Sequence, residues 1–158
     1  MLSFRAVDLQ FTRPASILDV AWRSRGTVQT PAMWKAVLAV GLGGSIGALL
    51  RWWLGTVLNA HFPTIPPGTL ASNLIGGYVV GVAVAFFAAY PALAPEWRLL
   101  VITGFCGGLT TFSTFSAEIV TLIQQEQALW ALAAASAHLF GSLIMTFAGI
   151  GTVAWLRG

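Results

Sequence analysis

Along this chain the apolar positions do not alternate or come in short clusters; they run in four long blocks separated by brief polar punctuation. Ala36 to Val57 carries one charge, Arg51, near its far end, and Gly68 to Tyr90 carries none. Leu99 to Ile123 and Leu129 to Leu156 complete the set, the last closed by Arg157. Each block is long enough for a helix to cross a hydrocarbon core of roughly 30 Å. Pro63, Pro66 and Pro67 mark the first turn, Pro91, Pro95, Glu96 and Arg98 the second, and Gln124, Gln125, Glu126 and Gln127 the third. The pattern predicts an all-α integral membrane protein of four transmembrane helices, without an internal repeat.

The third block is unlike the others. Gly104-Phe105-Cys106-Gly107-Gly108-Leu109-Thr110-Thr111-Phe112-Ser113-Thr114-Phe115-Ser116 sits at membrane depth, yet it is built from glycine, hydroxyls and aromatics. Gly107 and Gly108 offer no side chains to support a helical turn, and β-branched Thr110 and Thr111 carry hydroxyls that compete for backbone partners. A helix broken over Gly107–Thr110 is expected. Irregular backbone survives at this depth only where protein buries it or a polar cavity receives it, so the segment is expected to bind something. The plainer alternative is a flexible kink with an internal 3₁₀ turn.

Composition agrees with the pattern and narrows it. With 57% hydrophobic and 8% charged residues, and a mean hydropathy of +0.81, the chain lacks the polar surface of a soluble domain. Its length of 158 residues leaves room for one membrane domain, 34–158. A net charge of only +3 argues for membrane flanks and against nucleic-acid binding. The single cysteine, Cys106, rules out an intrachain disulfide and a thiolate cluster.

Residues 1–33 differ from the rest, with Arg5, Arg13, Arg23 and Arg25 set against Asp8 and Asp19 and no sustained apolar run. They read as a disordered basic leader, or as a misassigned start with translation beginning at Met33; no signal-peptide pattern is present. The choice matters for topology. Arg5, Arg13, Arg23, Arg25, Lys35, Arg98 and Arg157 would together fix one side in the cytoplasm against Arg51 alone, whereas Lys35, Arg98 and Arg157 by themselves bias insertion weakly. Gly43-xxx-Gly47 and Gly77-xxx-Gly81 form small-residue faces. A bundle of four such helices has little interior volume, so a homodimer joined through the glycine faces is expected.

Three stretches carry a resemblance: Gly43-Gly44-Ser45-Ile46-Gly47-Ala48-Leu49-Leu50-Arg51-Trp52, Gly68-Thr69-Leu70-Ala71-Ser72-Asn73-Leu74-Ile75-Gly76-Gly77 and the Gly104–Ser116 segment. In this order and on these helices they resemble the signatures of the Fluc (CrcB-type) small fluoride channels, over about Met33 to the C-terminus. The resemblance implies an antiparallel, dual-topology homodimer in the cell inner (plasma) membrane, with two fluoride pores and a central structural sodium ion that is not transported. It implies that Asn73, Phe112 and Phe115 line the fluoride path, and that main-chain oxygens of Gly107 and Thr110 hold the sodium.

The residues themselves are compatible with those roles. Fluoride is tightly hydrated, so its path must replace water's donors without a fixed charge that would trap the ion. Asn73 offers an amide N–H at mid-span, and Ser113, Thr114 and Ser116 offer hydroxyls; an asparagine that merely bonds a neighbouring helix is the alternative. Phe112 and Phe115, three apart on one helical face, can present positive ring edges to an anion or simply pack. Carbonyls freed near Gly107 and Thr110, with no carboxylate beside them, suit a monovalent cation. Arg51 either draws anions to a vestibule or snorkels, and Glu118 needs a partner or a wet vestibule. His138 departs from the family, which often has a small hydroxyl residue there, and it opens the prospect of pH sensitivity.

Three other functions fit less well. Gly43-Gly44-Ser45-Ile46-Gly47 matches a nucleophile elbow, but within an apolar helix, so no enzyme is expected. A proton-coupled small exporter needs an intramembrane acid, for which only Glu118 is available. A purely structural membrane subunit leaves the clustered hydroxyls and Asn73 unexplained.

Overall fold

The computed structural model describes residues 32–60 and 66–157. Within them the chain is entirely helical: α1 (Met33–Leu58), α2 (Pro67–Ala89), a short α3 (Pro95–Arg98) continued by π-helical turns (Leu99–Cys106), α4 (Gly107–Leu109), α5 (Phe112–Gln124) and α6 (Ala128–Arg157). Four stretches are long and apolar enough to cross a membrane, namely α1, α2, the composite third span Pro95–Gln124, and α6. The shortest has 23 residues. At 1.5 Å per residue it reaches roughly 35 Å, which exceeds a hydrocarbon core of about 30 Å. The leader expected over residues 1–33 lies outside the described residues up to residue 31.

The punctuation read from the sequence ends the helices as expected. Pro67 occupies the first turn of α2, where its missing N–H is no loss, and the Gly68 N–H donates to Asn59 Oδ1 at 2.8 Å. Between α5 and α6, Glu126 takes a φ of 61°, the Gln127 N–H donates to the Leu122 carbonyl at 2.9 Å and the Glu126 N–H donates to that of Ile123. That is a Schellman ending with glutamate in the place usually held by glycine.

Backbone proximity organises the bundle. The α1 helix lies along the first half of the third span, and α2 lies along α6. A Cβ added at Gly47 would fall on the Phe105 carbonyl oxygen, and one at Gly81 on that of Thr146. Both small-residue faces are therefore consumed inside the chain. This corrects the expectation that they join two copies: the close approach they permit is already used by the third and fourth spans.

The third span also breaks one step later than expected. Gly107–Leu109 is still helical, and the backbone becomes extended only at Thr110 (ψ 151°) and Thr111 (φ −147°, ψ 120°). Before the break the turns are widened to π geometry instead of tightened to 3₁₀. Missing Cβ atoms let Gly104 and Gly108 seat against the α1 backbone, which keeps this half helical, while side chains from elsewhere take the polar groups of Thr111. The Gly-Gly-Ser-Ile-Gly stretch is continuous helix, with Ser45 Oγ donating to the Gly41 carbonyl at 2.8 Å, so no elbow forms.

Candidate functional site

Asn73, in the second turn of α2, is the side chain that holds the break. Its Oδ1 accepts the Thr111 N–H at 2.8 Å, and its Nδ2 donates back to the Thr111 carbonyl at 3.2 Å. One amide thus replaces both partners that the backbone of Thr111 loses on leaving the helix, which removes a penalty of several kcal/mol at membrane depth. Restarting α5 needs a cap as well. Thr111 Oγ1 accepts the Thr114 N–H at 3.2 Å and donates to Thr114 Oγ1 at 3.0 Å. Leu109, fully buried, seals the break on the protein side.

Two open cavities meet at Thr111. The smaller, about 360 Å³, lies towards the end of α1 and is bordered by Arg51, Trp52, Asn59, Thr69, Thr111 and Thr114. The larger, about 560 Å³, runs from the break along α6, past Asn73, Phe112, Phe115, His138, Ser142 and Thr146. Its lining carries N–H and O–H groups among apolar side chains and no Asp, Glu, Lys or Arg. The smaller cavity is the charged one: Arg51 borders it, and Thr69 donates its hydroxyl to Glu118 Oε1 at 2.5 Å.

The structure gathers most, but not all, of the residues singled out in the sequence. Phe112 and Phe115 stand beside Asn73 with ring centroids 5.5 Å apart, and Phe115 lies 4.7 Å from the His138 ring. Phe112 is 80% exposed, a large apolar ring with its face uncovered. Ser116 is turned back to the Phe112 carbonyl at 2.8 Å and borders neither cavity, and Ser113 contacts only the Thr111 hydroxyl, at 3.2 Å. Arg51 does not snorkel; its Nε donates to the Gly108 carbonyl at 3.1 Å.

Gly107 and Thr110 share a feature the sequence could only suggest. The N–H four residues after Gly107 belongs to Thr111 and goes to Asn73, and the one four residues after Thr110 belongs to Thr114 and goes to the Thr111 hydroxyl. Both carbonyls have therefore lost their ordinary helical donors. Residues missed by reading the sequence are Thr69, Thr111, Ser142 and Thr146. The last two follow His138 at intervals of four, a polar stripe on one face of an otherwise apolar helix that this periodicity would have exposed.

Residues 38–150 match the family described as CrcB-like protein, Camphor Resistance (CrcB). A protein of Nitrosomonas europaea named fluoride-specific ion channel FluC is 66% identical over 125 residues, covering 79% of this chain and 98% of that one. Proteins of the same name from Pseudomonas putida and Chromobacterium violaceum are each 63% identical, over 80% and 79% of this chain and 99% of their own lengths.

Proposed function

The chain belongs to the CrcB family, and from that premise we infer that it is a multi-pass membrane channel specific for fluoride and not an enzyme. The observation that carries the reading is the larger cavity, a mid-depth passage furnished with neutral donors and aromatic rings and free of fixed charge. Fluoride entering it passes Asn73 and exchanges water's donors for the ring edges of Phe112 and Phe115 and the hydroxyl of Ser142. A cation on the wall would hold the ion too tightly to release it. Charge is kept at the entrance instead, where Arg51 raises the local anion concentration beside Thr69 and Thr114. Purified protein in liposomes is expected to release fluoride down its gradient without a proton gradient and to retain chloride, as read by ion-selective electrodes; chloride release at a comparable rate would overturn the reading.

The working unit is a homodimer in this proposal. Phe112, 80% exposed at the mouth of the cavity, is covered once a second copy closes the open side. Antiparallel assembly is compatible with the charge pattern, since among the described residues Lys35, Arg98 and Arg157 at one end against Arg51 at the other bias insertion only weakly. A structural sodium ion fits the donor set at the break. The Gly107 and Thr110 carbonyls are neutral hard oxygens without their helical donors, and two copies together supply four. Gly107 faces open space, as a site between copies requires. When bound, the ion supplies positive charge that neutralises converging carbonyls and fixes the two breaks against each other. Cross-linking in lipid that traps no dimer would count against this assembly.

A further inference from the structure

We propose that His138 is a positioning residue for conduction: its Nδ1 accepts the second amide hydrogen of Asn73 and so holds that amide against the Thr111 main chain, which fixes the break in the third span. The proposal rests on the conduction reading above.

The orientation of the Asn73 amide follows from chemistry. Its Oδ1 lies 2.8 Å from the Thr111 N–H and its Nδ2 3.2 Å from the Thr111 carbonyl, and a flipped amide would set N–H against N–H and oxygen against oxygen. The remaining amide hydrogen then has one destination. His138 Nδ1 lies 3.0 Å from Nδ2, and it can accept only if it is the bare ring nitrogen, so the neutral imidazole carries its proton on Nε2. His138 is 5% exposed, and Nε2 has no partner among the described residues. One ring nitrogen is thereby committed to holding Asn73, and the other is a buried donor.

The hydrogen bonds run in a single consistent direction, from Asn73 to His138. A proton on Nδ1 would place two donors 3.0 Å apart, and Asn73 could escape only by giving up both bonds to Thr111. Imidazolium is therefore incompatible with the break as it is held. Nothing else near the ring titrates in its place. From α2 the cavity receives Asn73, Gly77 and Val80, and from the third span Thr110, Thr111, Phe112 and Phe115. Glu118 is bonded to Thr69, Arg51 to the Gly108 carbonyl, and Cys106 lies outside the cavity lining.

The test uses the full chain in liposomes. Long-range proton–nitrogen NMR of histidine-labelled wild type, with the His138→Gln spectrum separating His61, is expected to show His138 as the Nε2–H tautomer. His138→Gln, whose Oε1 can take the amide hydrogen, should keep fluoride flux within about twofold, whereas His138→Leu should lower it roughly tenfold. Where the spectra show His138 protonating in acid, wild-type flux corrected for protein-free liposomes should fall with the imidazolium fraction, while His138→Gln stays level. An Nδ1–H tautomer overturns the proposal, as do equal losses in the Gln and Leu variants, or imidazolium forming with flux undiminished or raised. The tautomer is read on wild type and stands even where a variant does not fold. Absence of any wild-type fluoride flux beside the expected tautomer would instead strike at the conduction reading.

Discussion

Asn73→Asp changes one atom of the side chain and should disable the channel. The acceptor for the Thr111 N–H survives, but the Nδ2 that donates to the Thr111 carbonyl at 3.2 Å and to His138 Nδ1 at 3.0 Å is replaced by oxygen. The imidazole can answer by moving its proton to Nδ1. The Thr111 carbonyl cannot: it belongs to a residue 8% exposed, and it now faces a carboxylate oxygen. An orphaned buried acceptor costs about 1–3 kcal/mol, and a carboxylate at membrane depth about 3 kcal/mol more. Their sum, roughly 4–6 kcal/mol, is a large share of the ~5–15 kcal/mol that holds a typical protein together. For any protein that does fold, a fixed negative charge about 5 Å from the passing anion raises its energy by ~3 kcal/mol at an effective dielectric near 20, roughly a two-hundredfold drop in occupancy. Proteoliposome efflux and gel-filtration yield measure the two losses separately. Acid should recover part of the flux as the carboxyl gains a proton and with it a donor. Wild-type flux and yield in Asn73→Asp would refute both the pinning and the lining roles of this amide.

The aromatic pair makes a parallel test: Phe112→Ile and Phe115→Ile keep bulk and apolarity but remove the ring edges, so fluoride flux should fall about tenfold with the assembled protein intact on gel filtration. If both conduct normally, the rings only pack. Gly47→Ala should destabilise by about 3 kcal/mol or more, because its Cβ would land on the Phe105 carbonyl and 2.7 Å from the Leu109 nitrogen, while Gly41→Ala, open on all sides, should gain ~0.5–1 kcal/mol of helix stability; thermal aggregation in detergent ranks them. Replacing sodium by a large organic cation should weaken subunit association in lipid.

The span boundaries were legible to within a few residues because apolar run length and proline punctuation act locally. First-span limits of Ala36 and Val57 became Met33 and Leu58, and third-span limits of Leu99 and Ile123 became Pro95 and Gln124. The break was legible in kind but not in place. Local propensity pointed to Gly107-Gly108, yet what decides the matter is who supplies partners to which amide, and Asn73 lies 38 residues away from Thr111. The glycine faces were misassigned for a related reason: a small-xxx-small pattern says that a backbone can come close, and not whether that backbone belongs to the same chain. Ser116 illustrates the limit for hydroxyls. On a helix each can turn to the carbonyl one turn back, and the sequence does not say which of Ser113, Thr114 and Ser116 will do so.

The break sorts the polarity of its own backbone, which is what the proposed service of two ions of opposite charge by one short segment requires. In a continuous helix every N–H is matched to a carbonyl and neither is available. Here the N–H groups of Thr111 and Thr114 are taken by side-chain oxygens, of Asn73 and Thr111 respectively, so the carbonyls of Gly107 and Thr110 lose their helical donors. Those two oxygens are the ones the proposed cation would engage. On the inner side the same exchange uses the acceptor of Asn73 and leaves its two hydrogens directed at the Thr111 carbonyl and His138 Nδ1. Further along α6 the Thr146 hydroxyl donates to main-chain carbonyls, of Ser142 at 2.9 Å and of Gly77 at 3.1 Å, and Ser142 borders the cavity beside it. Glycine at the break cannot accomplish this by flexibility alone. The separation depends on Asn73 presenting its oxygen to Thr111 N–H, which makes the direction of one amide the choice on which both ion sites depend.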